Sequence, residues 1–403
     1  MDTRKYFLDW LRVFAFLCLI VFHVGCFYAS WDYNIKSPRL APGIDWALLA
    51  LTPWRMALLF TISGVASRHL IAKLGAGRFA LDRVRRLVPV IIFGTFVVIP
   101  PQTYIMLVDK GLLHAGYLHF WFYTYLAADQ TLVAPLHRTM PTYDHLWFIV
   151  YLLFYALIFA AVARLWNALR KMTPDWAFSA PRLPLWLLLA LPALWLFAMN
   201  FLIEHRLPAT FNLVNDWGSH LKWAGMFVTG LSCATRDDFW EWLGRRRGTL
   251  LAMAALFLAL QSLCRAIWLT GQMEPVSSAI AWSATSSVYA WTMIGALCGY
   301  AKEHLNNRSD SLSHLNEAIL PIYVLHQPIL LISAYYIFPL ELPLPVEGAL
   351  LVSMTGLGAL AVYEVMIRPF RFMRFLFGLK IESRNQSPLE KPRLTLNTDL
   401  RNQ

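Results

Sequence analysis

The stretch Leu8-Asp9-Trp10-Leu11-Arg12-Val13-Phe14-Ala15-Phe16-Leu17-Cys18-Leu19-Ile20-Val21-Phe22-His23-Val24-Gly25-Cys26-Phe27-Tyr28 decides the fold. Its length and apolar character match what a helix needs to cross a bilayer. It also carries two groups that hydrocarbon rejects, Arg12 and His23, eleven positions apart. At about 100° per residue that interval is about 1100°, three turns plus about 20°, so both side chains lie on one helix face. At about 1.5 Å of rise per residue they stand roughly 16 Å apart along the axis. An intramembrane charge costs about 2.5–3.5 kcal/mol or more, so it faces a polar interior and marks a site. One helix therefore holds a cation near one membrane surface and a titratable imidazole towards the other.

Working outward, the same pattern recurs. With 403 residues, 58% hydrophobic and 15% charged, the chain has too many apolar runs for a soluble core to hide. Ten spans are expected, at about 8–28, 46–67, 87–108, 145–164, 184–203, 217–235, 249–270, 279–300, 317–338 and 346–367. Pro192, Lys222 and Pro321 interrupt the fifth, sixth and ninth. The expected fold class is an all-α polytopic membrane protein, a single bundle of about ten transmembrane helices. A basic start before an apolar run resembles a signal peptide. Its length, the internal Arg12 and the spans that follow make a retained helix the expectation.

The net charge of +11 invites a nucleic-acid reading, but its distribution argues for topology instead. With the N-terminus placed inside, the external loops hold only Lys36, Arg39, Lys110, Arg138 and Arg206, and most other Lys and Arg fall on the cytoplasmic side. This positive-inside asymmetry sets both termini in the cytoplasm. No nucleic-acid partner is expected. Residues 1–380 form the expected membrane domain, and 381–403 a polar cytoplasmic tail expected to be disordered. The five cysteines have no CxxC spacing, so neither a metal site nor a disulfide framework is expected. No internal repeat is visible, which counts against the inverted-repeat transporters.

Several constellations carry candidate chemistry. Asp9 precedes Arg12 by three residues, close enough to orient it; the plain alternative is an Arg snorkelling to lipid phosphate. The basic segment 68–86, a cytoplasmic loop in this reading, ends in Arg83-Val84-Arg85-Arg86 and contains one acid, Asp82. Positive-inside bias alone explains such a cluster, and a dock for the phosphates of an activated donor is the functional reading. Arg55 lies deep in the second span, at a depth comparable to His23. Ser63-Gly64, eight residues on, reads as close helix packing. Asp144-His145-Leu146-Trp147 opens the fourth span at the external face, and His326 lies in the middle of the ninth. Each is either an acceptor-side group or a satisfied structural residue. The aromatic run Gly116–Tyr123 either lies in the interface or re-enters the bundle.

Taken in order, Phe7-Leu8-Asp9-Trp10-Leu11-Arg12 with its Arg-x10-His spacing to His23, Phe60-Thr61-Ile62-Ser63-Gly64, Arg83-Val84-Arg85-Arg86-Leu87-Val88-Pro89 and His145-Leu146-Trp147-Phe148 resemble the acyltransferase 3 family of membrane-embedded acyltransferases. Arg55-Met56, Tyr323-Val324-Leu325-His326, Tyr363-Glu364-Val365 and Phe375-Leu376-Phe377 are similar to its glucan biosynthesis protein C branch of periplasmic glucan succinyltransferases. The resemblance implies a protein of the inner (plasma) membrane, with an acyl-CoA co-substrate inside, succinyl-CoA or acetyl-CoA, and a glucan or other glycan hydroxyl outside. It implies no permanently bound cofactor. Arg12 and His23 are then the essential pair, with Asp9 beside them and His23 as general base. Arg83, Arg85, Arg86, Arg55 and Ser63 are the donor-side candidates; Asp144, His145, Trp147 and His326 are the acceptor-side ones. The alternatives are a transporter of an anionic or lipid-linked envelope precursor, and a scaffold without chemistry.

Overall fold

The computed structural model describes residues 5–136, 138–170, 183–203, 206–207 and 209–381. The expected tail beyond Ile381 lies outside the described residues. Among the described residues helices are the regular secondary structure, without strands, and ten long helices correspond to the ten expected spans. Eight are long and apolar enough to cross a membrane: α1 Tyr6–Tyr28, α2 Ile44–Leu74, α3 Ala76–Asp109, α4 Asp144–Ala168, α5 Leu185–Ile203, α7 Asp237–Leu269, α9 Asp310–Leu340 and α10 Leu344–Ile367. The other two, α6 Trp217–Cys233 of 17 residues and the serine-rich α8 Pro275–His304, fall outside that group. Both are packed into the same bundle.

α1 packs against α2, α8, α9 and α10; between Arg12 and His23 this buries Val13, Ala15, Phe16, Leu19 and Ile20, while Phe14, Leu17 and Val21 face outward. Small residues let other helices of the bundle close on each other. Where α2 crosses α6, a Cβ on Gly64 would stand 2.1 Å from the Phe227 carbonyl oxygen, and one on Gly230 would stand 2.0 Å from that of Thr61. No other residue fits either position without moving a helix, which is the packing role expected of the Ser-Gly pair.

Two sequence expectations take a different shape. The basic segment 68–86 is not a loop: α2 runs to Leu74, α3 starts at Ala76, and Gly75 between them turns the chain at φ +76°. Glycine adopts this positive φ without a Cβ clash, and the arginines sit within the adjoining turns of two abutting helices. The aromatic run before Leu126 docks along α3. Phe120 and Tyr125 are buried, and the Tyr125 hydroxyl donates to the Thr95 carbonyl at 2.9 Å. Leu118, Phe122 and Tyr123 face outward.

The segment 29–43, expected to be external, is irregular yet held by many contacts. Lys36 Nζ donates to the carbonyls of Cys26 at 2.9 Å and Ala29 at 2.5 Å, which caps the C-terminus of α1 with a cation. Ser30 bonds Asp45 through its backbone N–H (3.0 Å) and its hydroxyl (2.6 Å). Arg39 reaches the wholly buried Glu347 of α10 at 2.7 Å, and Tyr28 donates to the same carboxylate at 2.9 Å. These contacts fold the segment back over the outer end of α1.

Candidate active site

The folded-back segment puts Tyr33 on His23. The Tyr33 hydroxyl and His23 Nδ1 are 2.7 Å apart, and the two rings stack at 5.8 Å. Burial pushes the Tyr33 phenol well above its ordinary range, so it stays a neutral hydroxyl. With Nδ1 engaged, Nε2 is the nitrogen of His23 left for chemistry.

Two further imidazoles join it. His326 of α9 lies 5.4 Å from His23, ring centre to ring centre, and His145 of α4 lies 5.3 Å from His326. Local sequence fixes both rings. Pro328 has no N–H, so the Val324 carbonyl lacks its intrahelical donor; His145 Nε2 donates to that carbonyl at 3.0 Å. Tyr323 answers by donating its hydroxyl to the His145 carbonyl. His326 Nδ1 donates to the Tyr323 carbonyl at 2.5 Å. In each ring one nitrogen is spent on backbone, and the other, His145 Nδ1 or His326 Nε2, is buried without a partner. Buried acceptors of this kind are exceptional and want a donor.

Arg55 completes the cluster. It is 4% exposed, its guanidinium lies 3.9 Å from the Phe22 ring centre, and its Nε and Nη1 have no hydrogen-bond partner. Its charge acts on both His23 and His326. Sequence alone placed Arg55 at the depth of His23; the fold places them in one cluster with His145 and His326. Among the described residues no group of His, Cys, Asp or Glu is arranged to hold a metal ion.

The candidates expected on the donor side collect at the other end of α1. Arg12 pairs with Asp9 at 3.4 Å. Arg86 is within electrostatic reach of both Arg12 and Arg83, and its Nε donates to the Gly378 carbonyl at 3.2 Å. Arg83 is paired with Asp82 at 2.5 Å, and Arg85 is exposed. Between this basic end and His23, Phe16 and Leu19 occupy the shared face of α1. Phe16 packs edge-on against Tyr323 at 5.3 Å and Phe148 at 6.4 Å. A long thin ligand joining the two ends must pass beside or displace these rings.

Other candidates stand apart. The Ser63 hydroxyl is spent on the Leu59 carbonyl at 2.7 Å within its own helix. Trp147 turns towards Tyr151 (5.4 Å) and Phe211 (5.1 Å), away from the imidazoles. Asp144 accepts from Gln102 at 2.7 Å and faces Arg138 at 3.7 Å, beside rather than within the histidine cluster. Sequence reasoning missed Tyr33. A tyrosine in an irregular loop carries no periodicity, and only the folding-back of 29–43 reveals its partner.

A family model described as an acyltransferase domain matches residues 5–364. No curated protein and no solved structure matches the chain.

Proposed function

This chain belongs to the acyltransferase family whose domain model covers residues 5–364, and from that premise we propose that it transfers an acyl group from cytoplasmic acyl-CoA to a hydroxyl of a periplasmic or cell-surface glycan. Succinyl is the favoured group, with acetyl as the other candidate, and a glucan is the favoured acceptor, in line with the branch resemblance. The setting is the inner (plasma) membrane. The coenzyme's phosphates are held by Arg12, Arg83, Arg85 and Arg86, since guanidinium forks match phosphate geometry. The pantetheine arm then carries the thioester along α1 towards His23.

His23 acts as general base when Nδ1–H donates to the Tyr33 oxygen and leaves the Nε2 lone pair free. Nε2 takes the proton of the acceptor hydroxyl as that oxygen attacks the thioester carbonyl. A C–O bond forms, the C–S bond breaks, and the departing thiolate takes the proton back from the imidazolium as free coenzyme A. Arg55 is the cation available to a succinyl carboxylate. Transfer is direct, without an acyl-enzyme.

The observation that carries this reading is the convergence of His23, His145 and His326 with the buried Arg55. Bare imidazole nitrogens suit an incoming O–H, and an unpaired guanidinium suits an anionic acyl group. Thermal unfolding with and without acyl-CoA, alongside a transfer assay, tests it, since a ligand stabilises the state it binds. Acyl-CoA is expected to stabilise both the native chain and His23→Ala, and His23→Ala is expected to lose transfer. A transporter or scaffold would show no stabilisation, or would leave glycan modification intact in His23→Ala; either result overturns the proposal.

A further inference from the structure

Next to the histidine cluster, on its outer side, is a small cleft lined by Asn34, Gln102, Arg138, Thr139, Thr142 and Asp144 among others. It has room for a group about the size of a water molecule or a single hydroxyl. Two chain neighbours and a shared helix tie it to the site: Asn34 follows Tyr33, Asp144 precedes His145, and the lining residue Leu331 is on the same helix as His326. The walls are cross-braced. Arg138 Nη2 donates to Asn34 Oδ1 at 2.5 Å, and Gln102 Nε2 donates to Asp144 Oδ2 at 2.7 Å. Gln102 is 1% exposed, and its Oε1 is buried with no donor. Leaving such an acceptor dry is costly unless a ligand supplies the missing hydrogen.

We propose that this cleft is the acceptor-recognition subsite: Gln102 Oε1 accepts a hydrogen bond from one glycan hydroxyl, which positions a neighbouring hydroxyl at His23. The proposal rests on the acyltransferase reading and adds residues to it. Its chemistry selects a neutral polyhydroxyl ligand. The one cation, Arg138, is already engaged by Asn34 and Asp144, and the remaining lining polar groups are amide and hydroxyl groups that pair with O–H. Gln102 thus acts as a specificity residue for the acceptor and plays no part in donor binding.

Two variants test this in cells that carry the full chain, with envelope glycans weighed by mass spectrometry and donor binding read from acyl-CoA thermal stabilisation of the purified proteins. Gln102→Leu removes the acceptor atom. Thr139→Trp fills the cleft from an exposed position, so it leaves buried packing untouched. Each is expected to lower glycan acylation about tenfold, the effect of losing one hydrogen bond to a bound hydroxyl, with acyl-CoA stabilisation unchanged. Native acylation in both variants, while His23→Ala abolishes it, overturns the subsite and leaves the enzyme reading standing. Native acylation in His23→Ala as well overturns both. Loss of acyl-CoA stabilisation in Thr139→Trp also overturns the subsite, because the cleft would then serve the donor.

Discussion

Arg55 poses the sharpest question at the scale of single residues. A guanidinium buried among apolar helices with two unbonded nitrogens is retained against a desolvation cost of several kcal/mol, and its stacking on Phe22 offsets only about 0.5–2 kcal/mol of it. An anionic acyl group would supply the missing partner. Arg55→Leu, assayed with succinyl-CoA and acetyl-CoA, is therefore expected to slow succinyl transfer about 10–100-fold, the worth of a hydrogen-bonded charge, and acetyl transfer far less. Equal losses with the two donors would remove the carboxylate role. The sequence displayed Arg55 plainly, because a cation inside an apolar run is visible without a fold. Tyr33 and Gln102 were invisible: a tyrosine in a loop and a glutamine near a helix end become informative only when their neighbours are known.

Among the elements, the irregular segment 29–43 matters as much as any helix, since it carries Tyr33 to His23 and Asn34 to the cleft. Its anchor is the Arg39–Glu347 pair, in which the carboxylate is fully buried and the guanidinium partly exposed. Removing one partner of such a pair costs about 3–5 kcal/mol, because the other is left as an uncompensated buried charge. Arg39→Ala is expected to lower the unfolding temperature in detergent and to reduce transfer through displacement of Tyr33, while acyl-CoA still stabilises the chain. Unchanged stability and unchanged transfer would show that the segment is positioned by other contacts. The helices themselves were legible as ten apolar runs, and Arg12 and His23 shared a face by periodicity alone. The boundaries were not. The basic segment 68–86 reads as a loop by composition, but its arginines lie within α2 and α3 and one glycine makes the turn. The role of Pro328 shows only in the fold, where it leaves the Val324 carbonyl to fix the ring of His145.

For the whole molecule, the asymmetry of Lys and Arg carries the expected orientation, and α1 connects a basic end to an imidazole cluster at its other end. Periodicity could give the shared face; it could not say that Phe16, Phe148 and Tyr323 fill the space between the two ends, because that depends on which helices pack together. The central claim is that acyl groups cross this packed interval, entering as thioesters on one side and leaving as esters on the other. Sealed vesicles reconstituted with the full chain, loaded with radiolabelled succinyl-CoA and bathed in envelope glycan, measure it directly. The expected result is label on the external glycan with the native chain and none with His23→Ala; label that stays inside with the native chain, or reaches the glycan equally with His23→Ala, would contradict it.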